Sequence, residues 1–328
     1  MNRWSRSLWM LTLLVVLGLV CPPLVAHGST PQTPPLPPLP VTEPDAETQP
    51  DAGLLANEAE ASTEPLSLPP LKAVLIVGPI DGENGDWTVS EKANMDLAAD
   101  ALAANGVTVH TFYTPNDSWD QIVAAATDAH FLFYRGHGVH LTSMPTPEVG
   151  GFALTEGIIR PDRIRSDLKL APNAIVMLYG CFTAGTAGND TTSISSAEAQ
   201  RRVAQYSDIF LDSGAGGYFA NWFGGAFPSY VNSLFAGQTQ AQAYEAFFDF
   251  NSATGERHMH PNHPTQALWL DHDVWEDMVK YNNAFVGQPD ATLETLFGEQ
   301  IDTSPDPVPN PVDPDTLIYS LYLPHVSR

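Results

Sequence analysis

The chain has 328 residues, 43% of them hydrophobic, and carries 38 acidic against 14 basic side chains, for a formal charge of −24. That length suits one large domain or two small ones, and the apolar content is enough for a packed core. So acidic a protein is repelled by nucleic acid and by anionic lipid, which removes both as expected partners and favours basic substrates.

Residues 1–28 read as a secretory signal peptide. Leu8 to Ala26 are mostly apolar and follow Arg3 and Arg6, a basic n-region before an apolar h-region. Cleavage is expected after Ala26 or Gly28. The alternative is an uncleaved anchor, against which Pro22 and Pro23 count. Val20 precedes Cys21 where a lipoprotein signal calls for a small residue. Once the leader is gone, no stable membrane insertion is expected, the product is secreted or held at the cell surface, and Cys181 is the sole cysteine left. Residues 29–71 read as a disordered linker or pro-segment, crowded with proline, Glu and Asp and without Lys or Arg up to Pro70.

The folded part is expected over 72–300. Ala73 to Gly78 is a hydrophobic first strand. Ser90 is placed to cap a helix running through Asn105, with Ala93, Leu97, Ala101 and Leu102 on its apolar face and Gly106 beyond its end. Val107 to Tyr113 is a second strand. Asn116 or Asp117 starts another helix carrying Trp119, Ile122, Val123 and Ala126. Strands then end near His137 and Cys181. Residues 139–172 form a long Gly/Pro-rich connection, with Ile164 and Leu168 on a short helix. Ser195 or Ser196 caps a helix to about Leu211, and Gly214 to Trp222 is a later strand. A helix spans about Ala241 to Phe250, and Asp273 to Tyr281 is a further helical candidate. Strand and helix alternate, so the expected class is α/β with a mostly parallel sheet covered on both faces. Residues 301–328 are a Pro/Asp linker ending in a short apolar tail, Leu317 to Pro324, which fits either an added strand or a surface-sorting signal.

The chemistry-bearing stretch runs from Phe131 to Cys181. Two apolar runs, Phe131-Leu132-Phe133-Tyr134-Arg135 and Ile175-Val176-Met177-Leu178-Tyr179, each close in glycine and then in a reactive residue: Gly136-His137-Gly138 and Gly180-Cys181. Such runs read as buried strands, and in open α/β sheets the ligand crevice lies at the strands' carboxyl ends. An imidazole and a thiol brought together there form a nucleophilic pair. Gly138 lets the backbone approach closely, and its N–H with that of Cys181 is a candidate oxyanion hole. The plainer alternative is a turn histidine beside a core cysteine.

Gly-His-Gly after one strand and Tyr-Gly-Cys after another resemble the caspase-like, or clan CD, cysteine peptidases, a group that includes caspases, metacaspases, gingipains and CHAT-domain proteases. The His–Cys separation of 44 residues is similar to the roughly 50 of caspases. The resemblance covers about residues 72–250 and implies a three-layer α/β/α caspase-like fold. It also implies a Cys181 nucleophile, a His137 acid/base and an endopeptidase acting through a thioester. Two departures stand out. Gly180 replaces the Ala or other small residue common before the cysteine, and the Gln-Ala-Cys form is absent, so aspartate specificity is not implied.

Asp208 and Asp212 are candidates for an acidic pocket that reads Arg or Lys in a polypeptide substrate. His140, three residues beyond His137, reads as a surface-loop histidine, with a place beside His137 in the site as the alternative. The stretch His258-Met259-His260-Pro261-Asn262-His263, with Asp271-His272-Asp273, has ligand types for zinc, but its prolines and the lack of a helical His-Glu-x-x-His favour a structural loop. No metal ligand and no cofactor are therefore assigned. Calcium stays open for a secreted acidic protein, although no ordered Asp ladder is present. The alternatives to a peptidase are an inactive caspase-like surface or binding module and, behind it, a secreted metal-dependent hydrolase. Oligomeric state is not legible.

Overall fold

The computed structural model describes residues 68–142 and 147–298. The expected leader, residues 29–67 of the linker and the 301–328 tail lie outside the described residues.

In chain order the elements are β1 (Lys72–Val77), α1 (Asp86–Ala104), β2 (Thr108–Tyr113), α2 (Trp119–Ala126), β3 (Phe131–Arg135), β4 (His140–Leu141), β5 (Glu148–Val149), β6 (Phe152–Leu154) and β7 (Gly157–Ile159). Then come α3 (Pro161–Asp167), β8 (Ile175–Tyr179), α4 (Ser196–Leu211), β9 (Gly217–Asn221), α5 (Ala226–Phe235) and α6 (Gln240–Ala246). The last are β10 (Glu256–Met259), β11 (Ala267–Trp275), β12 (Met278–Gly287) and α7 (Leu293–Phe297).

The main sheet has eight strands in the order β10-β11-β12-β9-β8-β3-β1-β2. The run from β2 to β9 is parallel throughout, and β12, β11 and β10 extend it in antiparallel fashion. β1, β3 and β8 are central and buried on both faces, which is why each reads as an unbroken apolar run. Their side chains alternate between two cores. Val74, Ile76, Leu132 and Val176 pack with residues of α2, α3 and α4. Ala73, Leu75, Phe133 and Met177 pack with residues of α1, α5, α6 and α7. Helices thus cover both faces, an arrangement compatible with a three-layer α/β/α fold. Each fully buried Leu, Ile, Val or Phe contributes up to about 1.5–3 kcal/mol. Among the described residues no helix is long and apolar enough to cross a membrane.

Several expected boundaries shift, each for a local reason. α1 begins at Asp86, not after Ser90, because the Asp81 carboxylate reaches forward and accepts from the N–H groups of Trp87 and Thr88 at 3.1 and 3.0 Å. α2 has Ser118, not Asn116 or Asp117, at its N-cap position, without a side-chain capping bond. The segment 139–172 holds two short hairpins, β4–β5 and β6–β7, and then α3, which contains Ile164 and ends before Leu168. Asp273 to Tyr281 is not helical. It is the closing half of the β11–β12 hairpin, turned at Glu276 and Asp277 with φ of 53° and 61°. Sheet pairing there outweighs local helix propensity. α5 and α7 were not anticipated, and α6 is shorter than expected, Gln240–Ala246. α4 begins where expected: the Ser195 hydroxyl accepts from Glu198 N–H at 3.2 Å.

Candidate active site

β3 and β8 are neighbours, with Arg135 opposite Tyr179. Beyond that register Gly136 N–H donates to Tyr179 O at 3.1 Å, so the two chains leave the sheet side by side. The glycines are required by close approach. A Cβ on Gly138 would collide with the Cys181 backbone, one on Gly180 would stand 2.8 Å from Gly136 O and 3.0 Å from Gly138 N, and one on Gly136 would strike the Tyr134 hydroxyl. The structure therefore brings the Gly136-His137-Gly138 and Gly180-Cys181 backbones into contact at the carboxyl edge of the parallel strands.

His137 is held at both ends. Its carbonyl accepts from the Tyr134 hydroxyl at 2.9 Å. Its ring Nε2 lies 2.7 Å from the Ile80 carbonyl oxygen. A carbonyl only accepts, so Nε2 carries the proton and Nδ1 is the ring's accepting nitrogen. Ile80 is itself fixed. The buried Thr88 hydroxyl accepts from Ile80 N–H at 2.9 Å and donates to Asp81 Oδ1 at 3.0 Å. Burial alone raises the Asp81 carboxyl, but the bonds from Trp87 and Thr88 outweigh it and hold it below its ordinary value.

Cys181 is half-buried. Gly188 N–H points at its sulfur, 3.4 Å away. A donor in that place suits a sulfur that becomes negative. The loop after it is tightly tied. Phe182 has φ of 72° and donates to Thr186 O at 2.9 Å, and the Thr183 hydroxyl returns to Gly180 O at 2.8 Å. Thr186 exchanges bonds with Tyr281 of β12 at 2.8 and 3.1 Å.

Arg202 of α4 braces this loop from below. Its guanidinium donates to Gly185 O at 3.1 Å and to both Asp190 oxygens at 2.7 and 3.1 Å, and it lies 5.1 Å from the Phe182 ring centroid. Asp190 in turn accepts from Ala187 N–H at 2.8 Å. His140, on β4, faces Phe182 with ring centroids 5.5 Å apart, and burial, followed by Arg202 and Arg201, lowers its pKa. It belongs to the wall of this loop rather than to an open surface.

A cleft of about 230 Å³, lined by Ile80, Trp87, Ser90, Glu91 and Tyr179, adjoins the His137 anchor. Its one carboxylate, Glu91, is engaged by the fully buried Arg135 guanidinium and by Asn94. Arg135 also donates to Gly224 O at 2.7 Å and lies over the Phe227 ring at 4.4 Å.

Asp208 and Asp212 do not join this site. α4 runs back along the sheet, so its last turn lies near the start of β8 and β9, where Asn173 N–H meets Gly214 O at 2.8 Å. Both aspartates face His263 instead. The reason is directional: a helix following Cys181 carries its C-terminal residues away from the carboxyl strand ends. His258 lies on β10 beside Glu256 and Gln200, and Asp271 to Asp273 lie within β11, so the two halves of this His/Asp-rich stretch, expected as a structural loop, are strands that do not meet as one loop.

Ile80, Thr88, Gly188 and Arg202 escaped the sequence reading. The first and third act through backbone atoms and have no side-chain signature. Thr88 lies inside a helix, and Arg202 looks like any charge on a helix face. No protein-family model matches the chain, and no curated protein matches it.

Proposed function

We propose that the chain is a secreted cysteine endopeptidase with a caspase-like three-layer fold, Cys181 its nucleophile and His137 its acid/base. What carries the reading is the junction of β3 and β8. There His137-Gly138 and Cys181 leave neighbouring strands in backbone contact, and the Ile80 carbonyl holds the ring so that Nδ1 is the exchanging nitrogen. The runner-up, an inactive binding module, has no use for an oriented imidazole or for the Gly188 N–H aimed at sulfur.

In the reaction Cys181 Sγ gives its proton to His137 Nδ1 and attacks the peptide carbonyl carbon, forming the C–S bond. The carbonyl oxygen takes the electron pair and is met by the N–H groups of Gly138 and Cys181. Collapse breaks the C–N bond, and the imidazolium gives its proton to the leaving amine. Water then attacks the thioester, with His137 Nδ1 taking its proton and returning it to sulfur. The side chain before the cut enters the cleft lined by Trp87 and Tyr179. Because Glu91 already faces Arg135, the cleft offers aromatic walls and the Ser90 hydroxyl rather than a free carboxylate.

The test is labelling by electrophilic peptides bearing Arg, Lys, Asn, Asp, Leu or Phe at the reactive end, beside the Cys181→Ala chain. Labelling confined to Cys181, with peptide cleavage lost in Cys181→Ala and in His137→Ala, is the expected result. Wild-type turnover in either variant rejects the pair. No labelling by any probe, with and without added calcium, favours the inactive module.

A further inference from the structure

The turn between β10 and β11 carries His260 and His263 against the last turn of α4, which carries Asp208 and its C-cap Asp212. One ligand-type atom from each of Asp208, His260 and His263 lies within 4.8 Å of the other two. Asp208 Oδ1 stands 3.3 Å from His263 Nε2 and 3.6 Å from His260 Nε2. His263 Nε2 is also 3.3 Å from Asp212 Oδ1. These are not hydrogen bonds: Asp208 Oδ1 and His263 Nε2 are both buried and neither has a hydrogen-bond partner. Two orphaned atoms of opposite type facing each other at that distance need a reason. Neighbouring ligands of a tetrahedral ion with bonds of about 2.0–2.1 Å stand about 3.3–3.4 Å apart; the Asp208–His263 distance matches that, and Asp208–His260 is slightly longer.

Two further features fit a cation there. Asp208 Oδ2 accepts from Asn262 Nδ2 at 2.7 Å, which turns Oδ1 toward the histidines as an outer-shell bond does in metal sites. The last turn of α4 has no basic residue, and Asp208 within it and the C-cap Asp212 add negative charge at the negative end of the helix dipole, so positive charge is missing where it is most favourable. Arg165 answers only in part, 3.5 Å from Asp212 Oδ2, on the oxygen away from His263. His260 is fully buried. Its Nδ1 accepts from the N–H groups of Asn262 and His263 at 3.2 Å, so Nε2 carries the proton and lies 3.0 Å from the Ser207 hydroxyl. An ion taken on Nε2 replaces that proton, which leaves to solvent.

We propose that Asp208, His260 and His263 form a binding site for a borderline divalent cation of the Zn²⁺ type, with Asp212 or water in the fourth position. The site fastens the end of α4 to the β10–β11 turn, away from Cys181, and it is independent of the peptidase reading. The test uses the full secreted chain, stripped with chelator and then titrated with Zn²⁺ or Co²⁺ alone. One ion per chain is expected, with the intense visible bands of tetrahedral Co²⁺ and a raised melting temperature. Asp208→Asn and His263→Gln should each weaken binding by at least about 10–100-fold, while Cys181→Ala and His258→Ala leave it unchanged. X-ray absorption on the unaltered Zn²⁺-loaded chain should show two imidazoles and no sulfur, a readout that stands even where a variant folds poorly. No ion retained at 100 µM, sulfur in the first shell, or unchanged affinity in both ligand variants overturns the site.

Discussion

The loop that follows Cys181 and the antiparallel edge of the sheet both hold carboxylates largely out of water, and they do so by different means. Beside Cys181 the acids meet arginine. Glu198 receives Arg201 and Arg202, which hold its carboxyl down at about 2, and Asp190 receives Arg202. At the ends of β9, β11 and β12 the acids meet amides. Asp249 accepts from Asn221 and Asn282, and Asp271 accepts from Asn251 N–H and Asn283, with distances of 2.9 to 3.4 Å. Burial there, with one carboxylate beside another, raises both to about 7. An amide satisfies an oxygen but cannot neutralise it. The first region is therefore built to work ionised, and the second is more stable with its protons on. Asp208 stands between these cases, facing His260, His263 and the Asn262 amide.

The largest expected effect is on the arginine side. Arg202→Ala leaves Asp190 and Glu198 facing each other and unties Gly185 O. Side-chain exposures of 11% for Arg202 and 13% for Asp190 leave little room for water to compensate. A loss of about 3 kcal/mol is expected in urea unfolding, together with altered thiol labelling of Cys181. A loss below 1 kcal/mol would remove Arg202 as the brace.

Next comes pH. Asp249 and Asp271 have folded values raised above the unfolded range, so the stability they add as acids is fully present below about 4 and is lost as pH rises through about 7. Glu198 has the opposite sign: its contribution is present above about 4.5 and is lost as pH falls toward 2. Urea midpoints should therefore be higher near pH 5 than at pH 8, and should fall again below pH 4. A midpoint that rises steadily from pH 5 to 8 contradicts the amide-held acids.

A smaller effect sharpens the same point. Asp271→Asn keeps shape and an acceptor for Asn251 N–H while removing the charge. It should be close to neutral at pH 5, stabilise by about 1 kcal/mol at pH 8, and flatten the pH slope. A variant as steep as the wild type would assign the slope elsewhere. Smallest of all is Ser195→Ala, which removes the cap of α4 and should cost about 0.5–1 kcal/mol by the same unfolding measurement without moving the slope.

The central strands could be read directly because burial on both faces makes an unbroken apolar run, with no competing period. β1, β3 and β8 have that form, and the glycines closing β3 and β8 pointed to His137 and Cys181. The β11–β12 hairpin could not be read the same way. Val274-Trp275-Glu276-Asp277-Met278-Val279 offers no Asn-Gly or Gly turn, and it is the pairing of β12 with β9 that joins the hairpin to the sheet. α5 was missed because Pro228 sits in its first turn, where proline is tolerated but reads as a breaker.

What the chain order alone determined is the alternation of strand and helix, the buried centre of the sheet and the placing of His137 and Cys181 at its carboxyl edge. These depend on local composition and on hydrophobic period, which are properties of neighbouring residues. What only the tertiary structure decided is who faces whom. The Ile80 carbonyl meets His137 across 57 positions, Arg202 reaches back to Asp190, and Asp208 meets His263 rather than the cleft. Such contacts depend on the direction in which each helix crosses the sheet, and that direction is set by packing between distant segments rather than by any one of them.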